Sequence, residues 1–266
     1  MSTAAQFTGE IPAYYDRCLG PVMFEPYAED LVARVPARDG LRVLELACGT
    51  GIVTRRLRGA LPPSAAITAT DLNAAMLDHA RAAQDGGPVT WERADAAALP
   101  FADGAFEVVL CQFGLMFLPD RVAGFAEARR VLEAGGVLLA SVWRAAAENP
   151  YAHAASELLA RRFPADPPRF LQTPFGYHDP ELLRADAAAG GFAQIELDDV
   201  RLEGVAESAE LMAQGFVRGS PLSAELLARG CDLDELAAEL AAELARIGGA
   251  RPFRTALAAT VISARS

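Results

Sequence analysis

Short apolar runs and stretches with helical spacing alternate regularly between residues 41 and 143. The runs LRVLELA, FEVVLCQF and GVLLASVW carry few polar residues, and helical stretches such as DRVAGFAEARRVL lie between them. Parallel strands that are covered on both faces have this nearly continuous apolar character, and the helices supply the crossover connections. The pattern therefore predicts an α/β protein with a doubly wound, mostly parallel sheet.

Proline, glycine and acidic residues mark the boundaries of the predicted elements. Pro119 and Asp120 are expected to open a helix in its first turn, and Gly135 and Gly136 to close it. Beyond residue 143 the alternation weakens. There the pattern predicts three helices and two strands: helices over 152–163 and 179–190, a partly exposed strand in FAQIELDDVRL, an amphipathic helix in DLDELAAELAAELARIGG and a final strand in RTALAATVISAR.

Composition narrows the class of protein. A hydrophobic fraction of 52% in 266 residues is ample for a large core. The net charge of -11 and a pI near 4.8 argue against nonspecific binding to nucleic acid, which needs Lys and Arg on the phosphates. Clusters such as Arg161 and Arg162 leave an RNA substrate open, but a small-molecule substrate is favoured.

Neither a signal peptide nor a membrane span is visible in the sequence, so a soluble cytoplasmic protein is expected. The four cysteines lie far apart without a CxxC pair, which predicts structural thiols. The three histidines form neither HxxxH nor HxH spacing, so no metal site is predicted.

A glycine turn follows the first apolar run, in VLELACGTGIVTRRL. Gly49 and Gly51 let the backbone turn sharply and let a ligand approach the main chain. A dinucleotide-binding fingerprint has a third glycine where this chain has Thr54, and no GK[ST] unit marks a P-loop. The turn is therefore not expected to hold phosphates.

Acidic residues near the ends of the first three predicted strands favour a different ligand. Glu45 would repel a pyrophosphate but suits a ligand with an ammonium group. Asp71 lies twenty residues after Gly51, where a carboxylate can accept hydrogen bonds from both ribose hydroxyls. Together these positions favour a cationic nucleoside without phosphates.

The third acid, Asp95, is placed to accept a hydrogen bond from an adenine amino group. Leu72 and Met76 are placed to sandwich the ring as apolar plates. Alone, Asp95 fits a solvated strand end equally well, and Met76 an ordinary residue of a helix core. Only the joint spacing of these residues favours the nucleoside.

Four segments together resemble the motifs of class I S-adenosylmethionine-dependent methyltransferases: VLELACGTG, ATDLNAAML, RADAAALPFADGAFEVVLCQFGLMFLPD and EARRVLEAGGVLLASVW. The nearest resemblance is to the branch with the ubiquinone and menaquinone biosynthesis C-methyltransferases, the type 11 methyltransferase domain. The resemblance is strong over residues 41–143 and weak elsewhere. It implies a Rossmann-like fold of seven strands, the last one antiparallel between the fifth and sixth, and S-adenosyl-L-methionine as cofactor.

The resemblance also implies contacts for individual residues. Around the methionine portion it places Glu45, Ala47, Gly49, Thr50, Gly51 and Gln112. On the ribose it places Asp71, and around the adenine Leu72, Met76, Asp95 and Ala96. Tyr15 would cap the sulfonium side and Arg17 would reach the carboxylate, although a packing aromatic and a surface charge are equally compatible with these two positions. Ala47 stands where many members have glycine.

One domain is expected over 1–266, with helices that close over the cofactor in 1–40 and the cofactor-binding core in 41–143. Residues 144–177 and 205–250 are expected to be helical insertions that form a substrate lid. The aromatic content of CQFGLMFLPD and RRFPADPPRFLQTPFGY indicates an apolar substrate pocket.

The expected activity is methyl transfer to an O, C or N atom of a small hydrophobic molecule. No catalytic base is assigned: His153 and His178 are candidates, with surface or packing roles as the alternative. A methyltransferase-like protein that binds the cofactor without transferring methyl groups is a second hypothesis. An NAD(P)-dependent oxidoreductase is a third, against which Thr54 and Glu45 count. The oligomeric state is left open, a homodimer included.

Overall fold

The computed structural model describes residue 7 and residues 9–265. One seven-stranded sheet forms its centre. The strands are β1 (Arg42–Glu45), β2 (Ala66–Asp71), β3 (Thr90–Arg93), β4 (Phe106–Gln112), β5 (Leu132–Trp143), β6 (Gln194–Ala206) and β7 (Phe253–Arg265).

The order of the strands across the sheet is β3-β2-β1-β4-β5-β7-β6. Strands β1 to β5 pair in parallel, whereas β7 is antiparallel to both β5 and β6. The expected seven-stranded, doubly wound sheet with an antiparallel last strand between the fifth and sixth is therefore confirmed.

Helices cover the sheet and connect its strands. They are α1 (Ile11–Tyr14), α2 (Glu25–Ala33), α3 (Ile52–Ala60), α4 (Ala74–Ala83), α5 (Arg121–Val131), α6 (Pro150–Arg162), α7 (Pro180–Ala189), α8 (Ala209–Arg218), α9 (Leu222–Ala228) and α10 (Leu233–Gly248). Helix α10 packs against α8, α6 and β7, so the helices of residues 205–250 form one layer with the helix of residues 144–177.

A π-helical stretch, Tyr15–Phe24, joins α1 to α2 without a break in the chain direction. Pro21 lies inside it, and a proline in a regular α-helix lacks an N–H and its ring clashes with the carbonyl of the preceding turn. The wider turn accommodates the proline, and at its end the N–H of Glu25 donates to the carbonyl of Gly20, five residues back. This stretch turns an aromatic face toward the sheet.

The parallel pairing brings the carboxyl ends of β1, β2 and β4 to one edge of the sheet. Glu45 at the end of β1 pairs with Ala69 of β2 and Leu110 of β4, so Asp71 and Gln112 each lie two residues beyond it. Open α/β sheets bind ligands at this edge. The candidate site must therefore lie there.

The helix predicted between Pro119 and Gly136 differs from the observed helix, α5, at both ends. Asp120 is the residue that caps α5, its carboxylate accepting a hydrogen bond from the N–H of Ala123, and Pro119 lies before the helix. At the other end α5 stops at Val131, and Gly135 and Gly136 lie inside β5. The register of β4 and β5 shifts there, and Gly135 has φ +82°, so the glycines serve a bulge in the strand.

Over residues 7 and 9–265, none of the helices is both long and apolar enough to cross a bilayer. Within the same part of the chain, no three His, Cys, Asp or Glu side chains gather as metal ligands do.

Candidate functional site

Two adjoining cavities open at the carboxyl edge of the sheet. The first, the polar cavity, has a volume of about 150 Å³, and its lining includes Gly49, Asp71, Asp95 and Gln112. The second, the aromatic chamber, has a volume of about 80 Å³ and is lined almost wholly by aromatic and aliphatic side chains. They share Phe7, Tyr15, Phe113 and Phe117, which therefore form the junction between them.

The polar cavity brings together most of the residues that the sequence predicts around a cofactor. Nine of them line it: Tyr15, Ala47, Gly49, Asp71, Leu72, Met76, Asp95, Ala96 and Gln112. They come from five separate parts of the chain, and only the parallel winding of the sheet puts them on one wall.

Gly49 leaves open space on the cavity side of the glycine turn. Its φ of +56° favours glycine, and a Cβ built at this position would meet no atom within 4 Å. Ala47 adopts a similar φ of +50° without being glycine, so it bears the strain of a left-handed backbone. The turn thus exposes main chain to the cavity, as a ligand that approaches closely requires.

Asp71 is fixed by backbone hydrogen bonds on both oxygens. The N–H of Gly49 donates to Oδ2 at 2.9 Å and the N–H of Asn73 donates to Oδ1 at 2.8 Å. Burial raises the pKa of this carboxyl, and the backbone N–H groups oppose the rise. The carboxylate is held in one orientation at the cavity, with lone pairs left to accept further hydrogen bonds.

Asp95 lines the polar cavity and begins a tight turn. Its Oδ1 accepts from the N–H of Ala97 at 2.9 Å, and its carbonyl accepts from the N–H of Ala98 at 2.9 Å. The side chain is exposed, whereas Met76 on α4 is buried. An exposed acid beside a buried thioether suits a flat heterocycle with one polar edge.

Gln112 carries a buried acceptor without a partner. Its Nε2 donates to the carbonyl of Phe24 at 3.2 Å, which fixes the orientation of the amide. The other atom, Oε1, is buried and has no hydrogen-bond partner among the described residues. A buried acceptor of this kind costs free energy unless a ligand donates to it.

Arg17 belongs to the predicted set but does not line the polar cavity. It is exposed, and its guanidinium lies over the ring of Tyr14, 5.3 Å from the ring centre. Tyr15 and Arg17 are two residues apart on a helix, and such positions do not face the same side. Since Tyr15 faces the cavity, Arg17 faces solvent.

Glu45 also belongs to the predicted set and does not line the polar cavity. Its side chain is buried behind the glycine turn, where Oε2 accepts a hydrogen bond of 2.5 Å from the Thr54 hydroxyl. Burial raises its pKa to about 8, helped by the nearby Asp71 and opposed by the Thr54 hydrogen bond and by Arg55. The raised pKa favours the protonated carboxyl, and a contact of Glu45 with an ammonium group stays a prediction.

Thr50 and Gly51 also lie outside the cavity wall. Thr50 is buried, its carbonyl accepts from Arg55 at 2.8 Å, and its hydroxyl has no partner in the described part of the chain. Gly51 has φ +81°, and a Cβ there would lie 3.0 Å from the Cβ of Ala80 on α4. A glycine at this position serves the backbone turn and the packing of α4, and contacts of Thr50 and Gly51 with a ligand stay predictions.

Among the described residues, the carboxylates that line the polar cavity are Asp71 and Asp95, and the aromatic chamber is lined by neither a carboxylate nor a histidine. His153 is exposed on α6 and His178 is half-buried before α7, so neither candidate reaches the site. Tyr15 lines both cavities, but burial and then the charges of Asp71 and Asp16 raise its pKa, which keeps its hydroxyl protonated at neutral pH.

The aromatic chamber unites both segments that the sequence predicts as a lid. Phe170, Leu171 and Phe175 come from residues 144–177, and Phe216 and Ser220 come from residues 205–250. The sequence indicated an apolar pocket from CQFGLMFLPD, which holds Phe113 and Phe117, and from the 161–177 region. It missed Phe24, Trp143 and Phe216, whose only signal was aromatic character in elements that the sequence does not place near each other.

Comparison with known proteins agrees with this architecture. A model described as a methyltransferase domain matches residues 43–136. A ubiquinone/menaquinone biosynthesis C-methyltransferase from Saccharophagus degradans is 32% identical over 171 residues, which are 59% of this chain and 69% of that protein. A malonyl-[acyl-carrier protein] O-methyltransferase from Hahella chejuensis is 34% identical over 53% of this chain and 49% of that protein.

A solved structure shares the fold at low sequence identity. It is the phosphoethanolamine N-methyltransferase 2 of Haemonchus contortus in complex with S-adenosyl-L-methionine, 19% identical, with a TM-score of 0.60 over 96% of this chain and 57% of that chain. The chain spans only 43% to 49% of the length of the first curated relatives that it matches. The chain belongs to the class I S-adenosylmethionine-dependent methyltransferases.

Proposed function

We propose that this protein transfers a methyl group from S-adenosyl-L-methionine to a small, largely apolar molecule. The observation that carries the proposal is the junction of the two cavities, where the polar cavity meets the aromatic chamber across Tyr15, Phe113 and Phe117. A donor bound in the first and an acceptor bound in the second would meet at that junction.

The residues of the polar cavity fit the cofactor in three parts. Asp71 would accept hydrogen bonds from the ribose hydroxyls, since its carboxylate is fixed and faces the cavity. Leu72 and Met76 would hold the adenine between apolar surfaces, with Asp95 at its polar edge. The open space at Gly49 and the unpartnered Oε1 of Gln112 fit the amino-acid end, whose ammonium group donates hydrogen bonds.

When bound, S-adenosyl-L-methionine supplies a methyl group whose carbon–sulfur bond breaks with its electron pair passing to sulfur. This chain contributes alignment, because acceptor and donor are held on opposite sides of one junction. The acceptor forms the new bond with its own lone pair, and a proton that it loses passes to water, since no titratable base of the described residues lines the chamber.

Because the described lining of the chamber includes no base, a second candidate function remains. In that function the protein binds the cofactor without transferring methyl groups. An NAD(P)-dependent oxidoreductase is disfavoured by Thr54, which replaces the third glycine of the dinucleotide fingerprint, and by the family membership.

Calorimetry with S-adenosylmethionine, S-adenosylhomocysteine and NADH tests the site. We expect the first two to bind and Asp71→Ala to weaken both by tenfold or more, because a hydrogen bond to a charged group contributes about 1.5–3 kcal/mol. Asp78→Ala, an exposed acid on α4, is the matched control and should leave binding unchanged. Unchanged affinity in Asp71→Ala would contradict the site.

Formation of S-adenosylhomocysteine with a panel of small acceptors then separates transferase from binder. Turnover with any acceptor supports methyl transfer. Tight cofactor binding without turnover across phenols, amines, thiols and carboxylic acids supports the binder.

A further inference from the structure

We propose that the acceptor is a small, uncharged ring compound with one polar group besides its nucleophilic atom, and that Ser220 binds this polar group. The inference rests on the proposed function, because it names the acceptor class for the same site. It is carried by the chemistry of the chamber wall and by the place of Ser220 in it.

The chamber offers no counter-charge. None of its lining residues in the described part of the chain has a side chain that is charged at neutral pH. A carboxylate, phosphate or ammonium group would lose its hydration there without gaining an ion pair, which disfavours charged acceptors strongly.

The wall is built from aromatic rings that hold each other in place. Trp143 stacks on Phe113 with ring centres 3.9 Å apart and planes 4° apart, and Phe24 meets Phe113 edge to face. Tyr151 and Phe175 pack around the same indole at 6.3 and 6.2 Å. Flat, mutually fixed rings favour a flat acceptor, because aromatic pairs gain from offset stacking and edge contacts beyond their buried area.

Three lining side chains carry a polar atom: Tyr15, Trp143 and Ser220. Tyr15 lines both cavities and so lies at the junction, where the reacting atoms meet. The Trp143 indole only donates and is fixed by its stack. Ser220 is the one aliphatic hydroxyl of the wall, and it lines the chamber but not the polar cavity.

The Ser220 hydroxyl is available for a ligand. It donates to the carbonyl of Phe216 at 3.4 Å, longer than the usual 2.5–3.0 Å of such bonds, and its side chain is buried. Its two lone pairs can accept, and rotation about one bond lets it donate instead. The inference therefore assigns the acceptor's polar group to Ser220, the lining hydroxyl that belongs to the chamber alone.

The test uses four probes with the same body: toluene, p-cresol, p-toluate and 4-methylbenzylammonium. Each is titrated into the whole protein with and without saturating S-adenosylhomocysteine, and tryptophan fluorescence reports binding, because Trp143 lines the chamber. We expect toluene and p-cresol to quench the fluorescence and the two charged probes to bind at least 100-fold more weakly than p-cresol.

Variants at Ser220 separate hydrogen bonding from packing. Ser220→Ala should weaken p-cresol about tenfold and leave toluene unchanged, Ser220→Thr should restore most of the loss, and Ser223→Ala should change neither. Ser223 is the matched control because its hydroxyl donates to the carbonyl of Ser220 but does not line the chamber. Trp143→Phe should abolish the quenching.

Four results would overturn the inference: no probe binds, a charged probe binds within tenfold of p-cresol, Ser220→Ala affects both neutral probes equally or not at all, or quenching persists in Trp143→Phe. The proposed function fails separately. If calorimetry shows no cofactor binding, methyl transfer is excluded whatever the probes do, and if methyl transfer occurs without the Ser220 effect, only this inference falls.

Discussion

The Thr54 hydroxyl lies 2.5 Å from Oε2 of Glu45, and both side chains are buried beneath the glycine turn. Thr54 occupies the position at which a dinucleotide-binding turn has its third glycine, which serves close helix–strand packing there. In this chain a hydroxyl at that position satisfies a buried acid, which a glycine cannot do. Thr54, which in the sequence argues against a phosphate-binding turn, is thus the hydrogen-bond partner of the buried Glu45 in the structure.

Replacing Thr54 by Val keeps the shape of the side chain and removes this hydrogen bond. We expect the free energy of unfolding to fall by about 1–3 kcal/mol, because the Glu45 carboxyl is then buried with one partner fewer. Urea denaturation followed by circular dichroism measures the change. Thr54→Ser keeps the hydroxyl and should recover at least half of the loss; an equal loss in both variants would assign the effect to packing.

The raised pKa of Glu45 makes stability depend on pH. The group titrates near 4.3 in the unfolded chain and near 8 when folded, so between these values the folded state binds more protons. Its contribution is complete below about pH 4.3 and is lost as the pH rises toward 8, by up to about 1.4 kcal/mol per unit. Glu45→Gln removes the titration.

Urea titrations of both proteins at several pH values between 5 and 8 measure this contribution. The free energy of unfolding of the wild type minus that of Glu45→Gln should decrease steadily across that range. Taking the difference cancels the titration of groups that the two proteins share. A constant difference would show that Glu45 is ionised throughout, with an unshifted pKa.

Most of the fold was predictable because it follows from local patterns. Apolar runs that lack alternation indicate strands covered on both faces, and the antiparallel position of RTALAATVISAR followed from the family resemblance. The error at Gly135 and Gly136 has a physical cause. A positive φ serves a helix end and a strand bulge equally well, and only the pairing of β4 with β5 decides between them.

The site was predictable only where its residues follow strand ends. Asp71 could be placed at the cavity because the end of a parallel strand fixes its edge of the sheet, whereas Gln112 followed from the family resemblance. The direction in which Arg17 points could not be predicted, because the orientation of a helix around its own axis depends on what it packs against. The walls of the chamber depend on how the 144–177 and 205–250 segments cross the sheet edge, which no local pattern encodes.

Gln112 is predicted to contact the amino-acid end of the cofactor and not its adenosine part. Its Oε1 is buried beside the predicted amino-acid end and has no partner in the part of the chain that the structure describes. Gln112→Leu should therefore weaken S-adenosylhomocysteine about tenfold, as loss of a hydrogen bond from a charged donor does. 5′-Methylthioadenosine lacks the amino-acid end and should bind the variant as it binds the wild type. Calorimetry with both ligands measures the ratio.

Asp71→Asn is the matched variant for that measurement, because it lies at the predicted ribose position that both ligands share. It should weaken both by a similar factor. If Gln112→Leu weakened both ligands equally, the amino-acid end would not lie at Gln112, and the orientation of the cofactor in the cavity would have to be reversed.

Phe7 limits the size of the chamber. Its ring meets Phe117 and Phe170 with centres 5.8 and 6.5 Å away, and it lines both cavities. The chamber volume of about 80 Å³ is smaller than the roughly 150 Å³ that an engineered core cavity offers to benzene. A ring compound therefore enters fully only when one wall side chain moves aside.

Phe7→Ala removes a wall side chain that is only partly buried. We therefore expect it to enlarge the chamber with a loss of stability below about 2 kcal/mol, less than the roughly 3–5 kcal/mol of a fully buried Phe→Ala change. The affinity of the bicyclic probe 2-naphthol should rise at least fivefold relative to p-cresol, measured by quenching of Trp143. Phe192→Leu, a core change packed on Phe125 away from both cavities, controls for general loosening and should leave the ratio unchanged. An unchanged ratio in Phe7→Ala would mean that the rigid stack of Trp143 and Phe113, and not Phe7, sets the size of the acceptor.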